Sequence, residues 1–163
     1  MTVALPPLST RQWLSAMALA CFAAVAAALL GQQVYDMRPC PWCILQRFLF
    51  VLIGLICAIG ALVPARPVHL ATALTSVALA LAGGAAALWQ HFVAARSDSC
   101  NLTLADKVIN TLGLESIAPA LFQVTASCAD AAVSVLGVPF EVWSLALFAA
   151  LALAATASLR RTG

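Results

Sequence analysis

Charge is what this sequence most lacks. Only 9% of its 163 residues are Asp, Glu, Lys or Arg, against the about 25% typical of a soluble domain. The chain is not built to be surrounded by water. Its basic residues are dispersed and its formal net charge is +2; without a basic patch, nothing speaks for nucleic acid as a partner. No nucleotide-binding fingerprint and no haem-attachment motif occurs, so redox chemistry must rest on cysteines or on an acceptor drawn from the surroundings. A clustered basic n-region is also missing. The first apolar run exceeds the roughly 7–15 residues of a signal-peptide core, and it is expected to remain as a membrane helix. No internal repeat or low-complexity linker breaks the chain into parts.

Apolar residues fill the space that charge leaves, at 64% of the chain. They gather in four stretches: Gln12 to Tyr35, Ile44 to Val63, Leu70 to Gln90 and Val142 to Leu159. Each is near the ~20 residues a helix needs to cross ~30 Å of hydrocarbon. The expectation is an all-α integral membrane protein in one domain, residues 1–163, with helices at about 13–34, 44–63, 70–91 and 142–159. Two cysteine-bearing loops, about 35–43 and 94–140, then lie at one end. Ala23, Ala27 and Gly31 are spaced for close helix packing, as is the Gly83-Gly84 pair. Trp13, Trp89 and Trp143 suit the membrane interface. In the long loop, apolar residues from Leu104 to Phe122 recur at helical spacing. They predict one or two short amphipathic helices broken near Gly113 and Pro119, lying on the bilayer or packed as a loop subdomain.

Four helices place both termini and the Pro64–His69 connection on one side. That side carries Arg11, Arg66, Arg160 and Arg161, and the other carries Arg38, Arg47, Arg96, Lys107 and all six acidic residues. The basic count ties, so the positive-inside rule does not decide by number. The cysteines do: Cys40, Cys43, Cys100 and Cys128 share one side, and stable disulfides belong in an oxidising compartment. The termini are therefore expected in the cytoplasm. Cys21 and Cys57, inside apolar stretches, read as small buried hydrophobes.

The chain is organised around Arg38-Pro39-Cys40-Pro41-Trp42-Cys43-Ile44-Leu45-Gln46-Arg47. A Cys-x-x-Cys pair closes a small ring and exchanges readily. With Cys43 near a helix start, the helix N-terminus and Arg47 at i+4 both favour its thiolate. The second helix is expected to begin at Cys43 or Ile44, because Pro39 and Pro41 stop helix continuation. Cys100 and Cys128 form a second pair on the long loop. A fixed pair and a loop pair on one face suggest a thiol–disulfide relay that needs an acceptor living in the bilayer, and a lipid-soluble quinone is the obvious candidate. A four-thiolate zinc site is the competing reading, although the loop pair lacks Cys-x-x-Cys spacing.

The motif Cys40-Pro41-Trp42-Cys43-Ile44-Leu45-Gln46-Arg47, the four apolar stretches, the loop pair and Leu136-Gly137-Val138-Pro139 before Trp143-Ser144-Leu145 together resemble the DsbB family of bacterial inner-membrane disulfide-forming enzymes. The resemblance implies a quinone-dependent thiol oxidase with ubiquinone or menaquinone as acceptor. Its partner would be a DsbA-like, thioredoxin-fold periplasmic protein, with the cysteine loops periplasmic. By the same resemblance, Cys100 forms the mixed disulfide with the partner and Cys128 exchanges with the first pair through Cys40. Cys43 faces the quinone, and Arg47, Gln32 and His91 stand near the quinone site. Vitamin K epoxide reductases share the topology but place the loop pair before the Cys-x-x-Cys. A non-enzymatic four-helix protein with structural loop disulfides is the rival of another class. Four cysteines allow three pairings, and the resting one stays open.

Overall fold

The computed structural model describes residues 9–96, 103–131 and 133–162. Four of its helices are long and apolar enough to span a membrane: α1 (Thr10–Val34), α2 (Pro41–Leu62), α3 (Arg66–Phe92) and the last helix, α7 (Phe140–Thr162). Among the described residues, a 3-10 turn (Ala94–Arg96), three short α-helices, α4 (Leu104–Thr111), α5 (Leu114–Ile117) and α6 (Pro119–Phe122), and a two-stranded hairpin, β1 (Ser134–Val135) with β2 (Val138–Pro139), lie between α3 and α7. The protein is a multi-pass four-helix membrane protein.

Each long helix starts earlier than apolarity alone predicts, because capping residues are polar or proline. Ser9 and Gln12 form a capping box that opens α1 at Thr10. Pro41 and Pro67 stand in the first turns of α2 and α3. A proline there loses no hydrogen bond, and its fixed φ suits the helix. Pro41 therefore starts α2 instead of delaying it, so that Cys40 becomes the N-cap and Cys43 falls in the first turn.

Helix α2 is the inner helix. Of its most apolar window 56% is buried within the bundle, against 22% for α7, so α7 leaves most of its surface outside the bundle. Packing runs from α1 onto α2, α2 onto α3 and α3 onto α7. The face α1 turns inward is Leu14, Met17, Ala18, Cys21 and Val25. The expected small-residue stripe is not this face, since Ala23 and Ala27 are exposed. Gly83 does serve close packing: a Cβ there would collide with the ring of Phe148. That ring stacks on Phe50 of α2 at 4.0 Å, which locks α3 and α7 against the inner helix. Trp13, expected as an interface anchor, donates from Nε1 to the Ala154 carbonyl at 2.8 Å and ties α1 to α7.

The long connection forms a cap on α2. Ile109, Leu114 and Phe122 bury against Ile44, and Phe122 meets Phe48 edge-on at 6.0 Å. Gly113 ends α4 with φ 61°, a conformation that costs glycine little. The loop-subdomain reading holds for this inner face, while Leu104, Leu112 and Ile117 remain exposed on the other. The hairpin was not expected. Leu136 and Gly137 take φ 55° and 79°, as a two-residue turn with both central residues left-handed requires.

Candidate functional site

Three cysteines meet where α2 begins. Cys40, the N-cap of α2, is fully buried, and its Sγ accepts from the Cys43 backbone N–H at 3.4 Å. One turn of helix thus holds the two sulfurs 2.9 Å apart. The loop supplies the third. The N–H groups of Thr125 and Ala126 donate to the Pro39 carbonyl at 3.1 and 3.3 Å, which pins the returning chain beside the motif. Cys128 is thereby set against Cys40. None of the three is disulfide-bonded. Cys100 lies outside the described residues.

The contact between Cys40 and Cys128 is polarised. A hydrogen bond from Cys40 holds the Cys128 thiol below the ordinary range, with help from the Trp42 backbone N–H and against partial burial. Cys40 is pushed the other way by that same bond, by its bond with Cys43 and by burial. The Cys40 thiol is therefore arranged to donate to Cys128, which favours the Cys128 thiolate. Among the described residues no three His, Cys, Asp or Glu side chains converge as metal ligands.

Cys43 faces the other way, into the bundle. It lies on the wall of a cavity of about 160 Å³ bounded by α1, α2, α3 and α7. Gln90 of α3 donates from Nε2 to the Cys43 sulfur at 3.2 Å, and Gln46 donates from Nε2 to Gln90 Oε1 at 2.6 Å, which fixes the orientation of that amide. Arg47, one turn beyond Cys43, is buried on the same wall. Its Nη1 donates to the Leu121 carbonyl at 2.7 Å and to Gln32 Oε1 at 3.2 Å. The Leu121 bond ties the loop to α2; the Gln32 bond ties α1 to it. Arg47 Nε is buried with no hydrogen-bond partner, although buried donors are almost always satisfied.

The expected site residues thus divide. Cys40, Cys43 and Cys128 come together, and Gln32 reaches the site through Arg47 without lining the cavity. His91 is not on the cavity wall; its Nδ1 lies 2.9 Å from Glu141 Oε1, and Glu141 is on the wall. Gln90, Gln46 and Glu141 escaped the sequence reading. A signal existed: polar side chains within or at the ends of apolar helices are costly and usually functional. Gln90 and His91 are neighbours about 100° apart around α3, and the sequence alone does not say which one turns inward.

The model of the disulfide bond formation protein DsbB family matches residues 10–158 of this chain. Individual proteins resemble it over most of their length. Disulfide bond formation protein B 1 of Pseudomonas syringae pv. syringae is 36% identical over 85% of this chain and 82% of its own. Disulfide bond formation protein B 2 of Burkholderia lata is 37% identical over 88% and 85%. Disulfide bond formation protein B of Burkholderia pseudomallei is 32% identical over 93% and 90%.

Proposed function

This chain belongs to the DsbB family of disulfide bond formation proteins, and we propose that it is a bacterial inner-membrane oxidase that makes disulfides at the expense of a membrane quinone. In this reading it reoxidises a DsbA-like dithiol partner on the periplasmic side, with its termini in the cytoplasm. One observation carries the proposal: Cys43 touches Cys40 on one side and a cavity on the other.

The chain's own steps follow from where the sulfurs stand. A partner thiolate attacks Cys100 of a Cys100–Cys128 disulfide and Cys128 leaves as a thiolate. The partner's second thiol then attacks the mixed disulfide, so that the partner departs oxidised and both loop cysteines are left reduced. The loop disulfide is regenerated when this reduced pair passes its two electrons inward. The Cys128 thiolate attacks Cys40 of a Cys40–Cys43 disulfide; the Cys128–Cys40 bond forms, and Cys43 leaves as a thiolate. The Trp42 N–H remains beside Cys128 when Cys40 is oxidised, so the nucleophile keeps a donor. Cys43 leaves toward the Gln90 amide and the Arg47 side of the cavity, where its charge meets a donor. The Cys100 thiolate then attacks Cys128, which frees Cys40 and restores the loop disulfide.

A quinone held in the cavity would supply a two-electron, two-proton acceptor for the reduced Cys40/Cys43 pair. The residues fit such a headgroup. A cavity of about 150 Å³ suffices for a benzene ring, the walls here are largely apolar, and the unpartnered Arg47 Nε–H suits a carbonyl oxygen. Ubiquinone and menaquinone both meet these requirements.

Anaerobic turnover of the purified protein with a reduced thioredoxin-like partner and defined quinones tests the reading. The expected result is equal loss of partner thiols and gain of quinol electrons, abolished in Cys43→Ser. Quinone-coupled oxidation that survives Cys43→Ser would overturn the mechanism.

A further inference from the structure

Glu141 has no part in the thiol steps, yet it sits on the cavity wall. It opens α7, where a carboxylate is favoured by the helix N-terminus, and that alone would account for an exposed glutamate. This one is not exposed. Its side chain is 8% accessible, and it shares a hydrogen with His91 Nδ1 at 2.9 Å, while the His91 side chain is 35% accessible. The carboxylate therefore faces inward and the imidazole outward, with one hydrogen between them. That hydrogen belongs either to an Nδ1–H donating to the carboxylate or to a carboxyl donating to Nδ1. Arg47 lines the same cavity without pairing with Glu141.

We infer that Glu141 and His91 form a proton relay, with Glu141 the donor into the cavity and His91 the positioning residue that reloads it from the aqueous face. The inference rests on the quinone reading above and adds the route of a proton that the thiol chemistry leaves unassigned. When the pair oxidises from a Cys40 thiol and a Cys43 thiolate, the S–S bond forms and two electrons leave, but only one proton, that of Cys40, leaves with them. Reduction of a quinone to a quinol takes up two electrons and two protons. The second proton must come from outside the pair, and the Cys43 wall offers no other donor that can be reloaded. Arg47 keeps its proton, Gln46 and Gln90 do not titrate, the Ser144 hydroxyl is not an acid near neutral pH, and α1 presents Ala24, Val25, Ala27 and Ala28 to the cavity. The groups that face Glu141 and could alter its charge are thus Cys43, Arg47 and His91.

Two arms test the relay. In rapid mixing of the reduced protein with a short-chain quinone, Glu141→Gln should slow quinol formation about 100-fold, the lower end of the range for a positioned acid. Its rate should then fall as pH rises, because water must supply the proton. Cys128-to-Cys40 exchange should be unchanged, and Glu141→Asp or added formic acid should restore much of the rate. In the quinone-free protein, the infrared carboxyl band that is lost in Glu141→Gln should shift in His91→Gln, because the hydrogen shared with Nδ1 is removed. An unchanged rate and pH profile in Glu141→Gln, equal slowing of thiol exchange, or a carboxyl band indifferent to His91→Gln would each overturn the relay. A wild-type protein that reduces no quinone would instead remove the parent reading, and with it the proton's destination.

Discussion

Cys40 and Cys57 are both fully buried on α2, and the same helix makes one of them a reagent and the other a filler. Cys57 lies in the bundle interior among Cys21, Ile53 and Ala61, and its one polar neighbour is the Ser76 hydroxyl at 3.4 Å. Cys40 has a sulfur on either side. Burial is therefore not what separates them. Position on the helix is: an N-cap presents its side chain to the first turn and to the incoming loop, whereas a mid-helix cysteine meets only packed side chains. If that contrast is right, removing a sulfur at the helix start should be fatal and removing one from the interior should not. The loss of quinone-coupled oxidation in Cys43→Ser is the largest effect expected, a fall to background in the anaerobic assay.

A subtler break leaves every sulfur in place. Gln90→Leu keeps the volume on α3 close to constant but deletes the N–H that points at Cys43. A hydrogen bond to a charged group contributes roughly 1.5–3 kcal/mol, so the step in which Cys43 leaves as a thiolate should slow by about 10- to 100-fold. Acid-quenched trapping of the Cys128–Cys40 mixed disulfide measures that step. Attack of the partner on Cys100 should be unaffected. Equal slowing of both steps would mean that Gln90 only supports packing.

How much of this was legible beforehand depends on the range of the interaction. The motif, the four spans and the loop pair are local in sequence, and lengths and residue types suffice to read them. The start of α2 was misplaced by reading Pro41 as a breaker, when in the first turn it is a starter. Gln90 and Glu141 were hidden for a different reason: helices that are apolar on nearly every face carry little amphipathic signal, so sequence could not say which end-of-helix polar residue turns inward. The nearness of Cys128 to Cys40 depends on two backbone hydrogen bonds to Pro39 from residues more than eighty positions away. Nothing in the local pattern announces them.

That long-range contact gives a pH signature. Cys128 is held low first by the Cys40 hydrogen bond, and a lowered thiol reacts as thiolate once pH exceeds its own value. Labelling of Cys128 by iodoacetamide in the reduced protein, followed by peptide mass spectrometry, should therefore rise with pH about a midpoint lower than that of an ordinary free thiol. Cys40→Ala removes the principal donor and leaves burial opposing the Trp42 N–H. The rise should move to higher pH, with the plateau rate unchanged. A profile indifferent to Cys40→Ala would mean that Trp42 and the loop, not the neighbouring sulfur, set the reactivity of Cys128.

The smallest effect belongs to the other half of the comparison. Cys57→Ser replaces a thiol by a hydroxyl of similar shape, next to Ser76 Oγ, which can donate to it or accept from it. Burying a hydroxyl with a partner costs far less than burying one without, so the change in unfolding free energy should stay within about 1 kcal/mol. Quinone-coupled turnover should remain within about twofold of wild type. Ser76→Ala in the same background would leave the new hydroxyl without its hydrogen bond and should cost about 1–3 kcal/mol more, read as a lowered midpoint of thermal unfolding in detergent with activity still intact. A large loss of activity in Cys57→Ser, at preserved stability, would break the contrast between the two cysteines, because it would give the interior sulfur a chemical task that its surroundings do not provide.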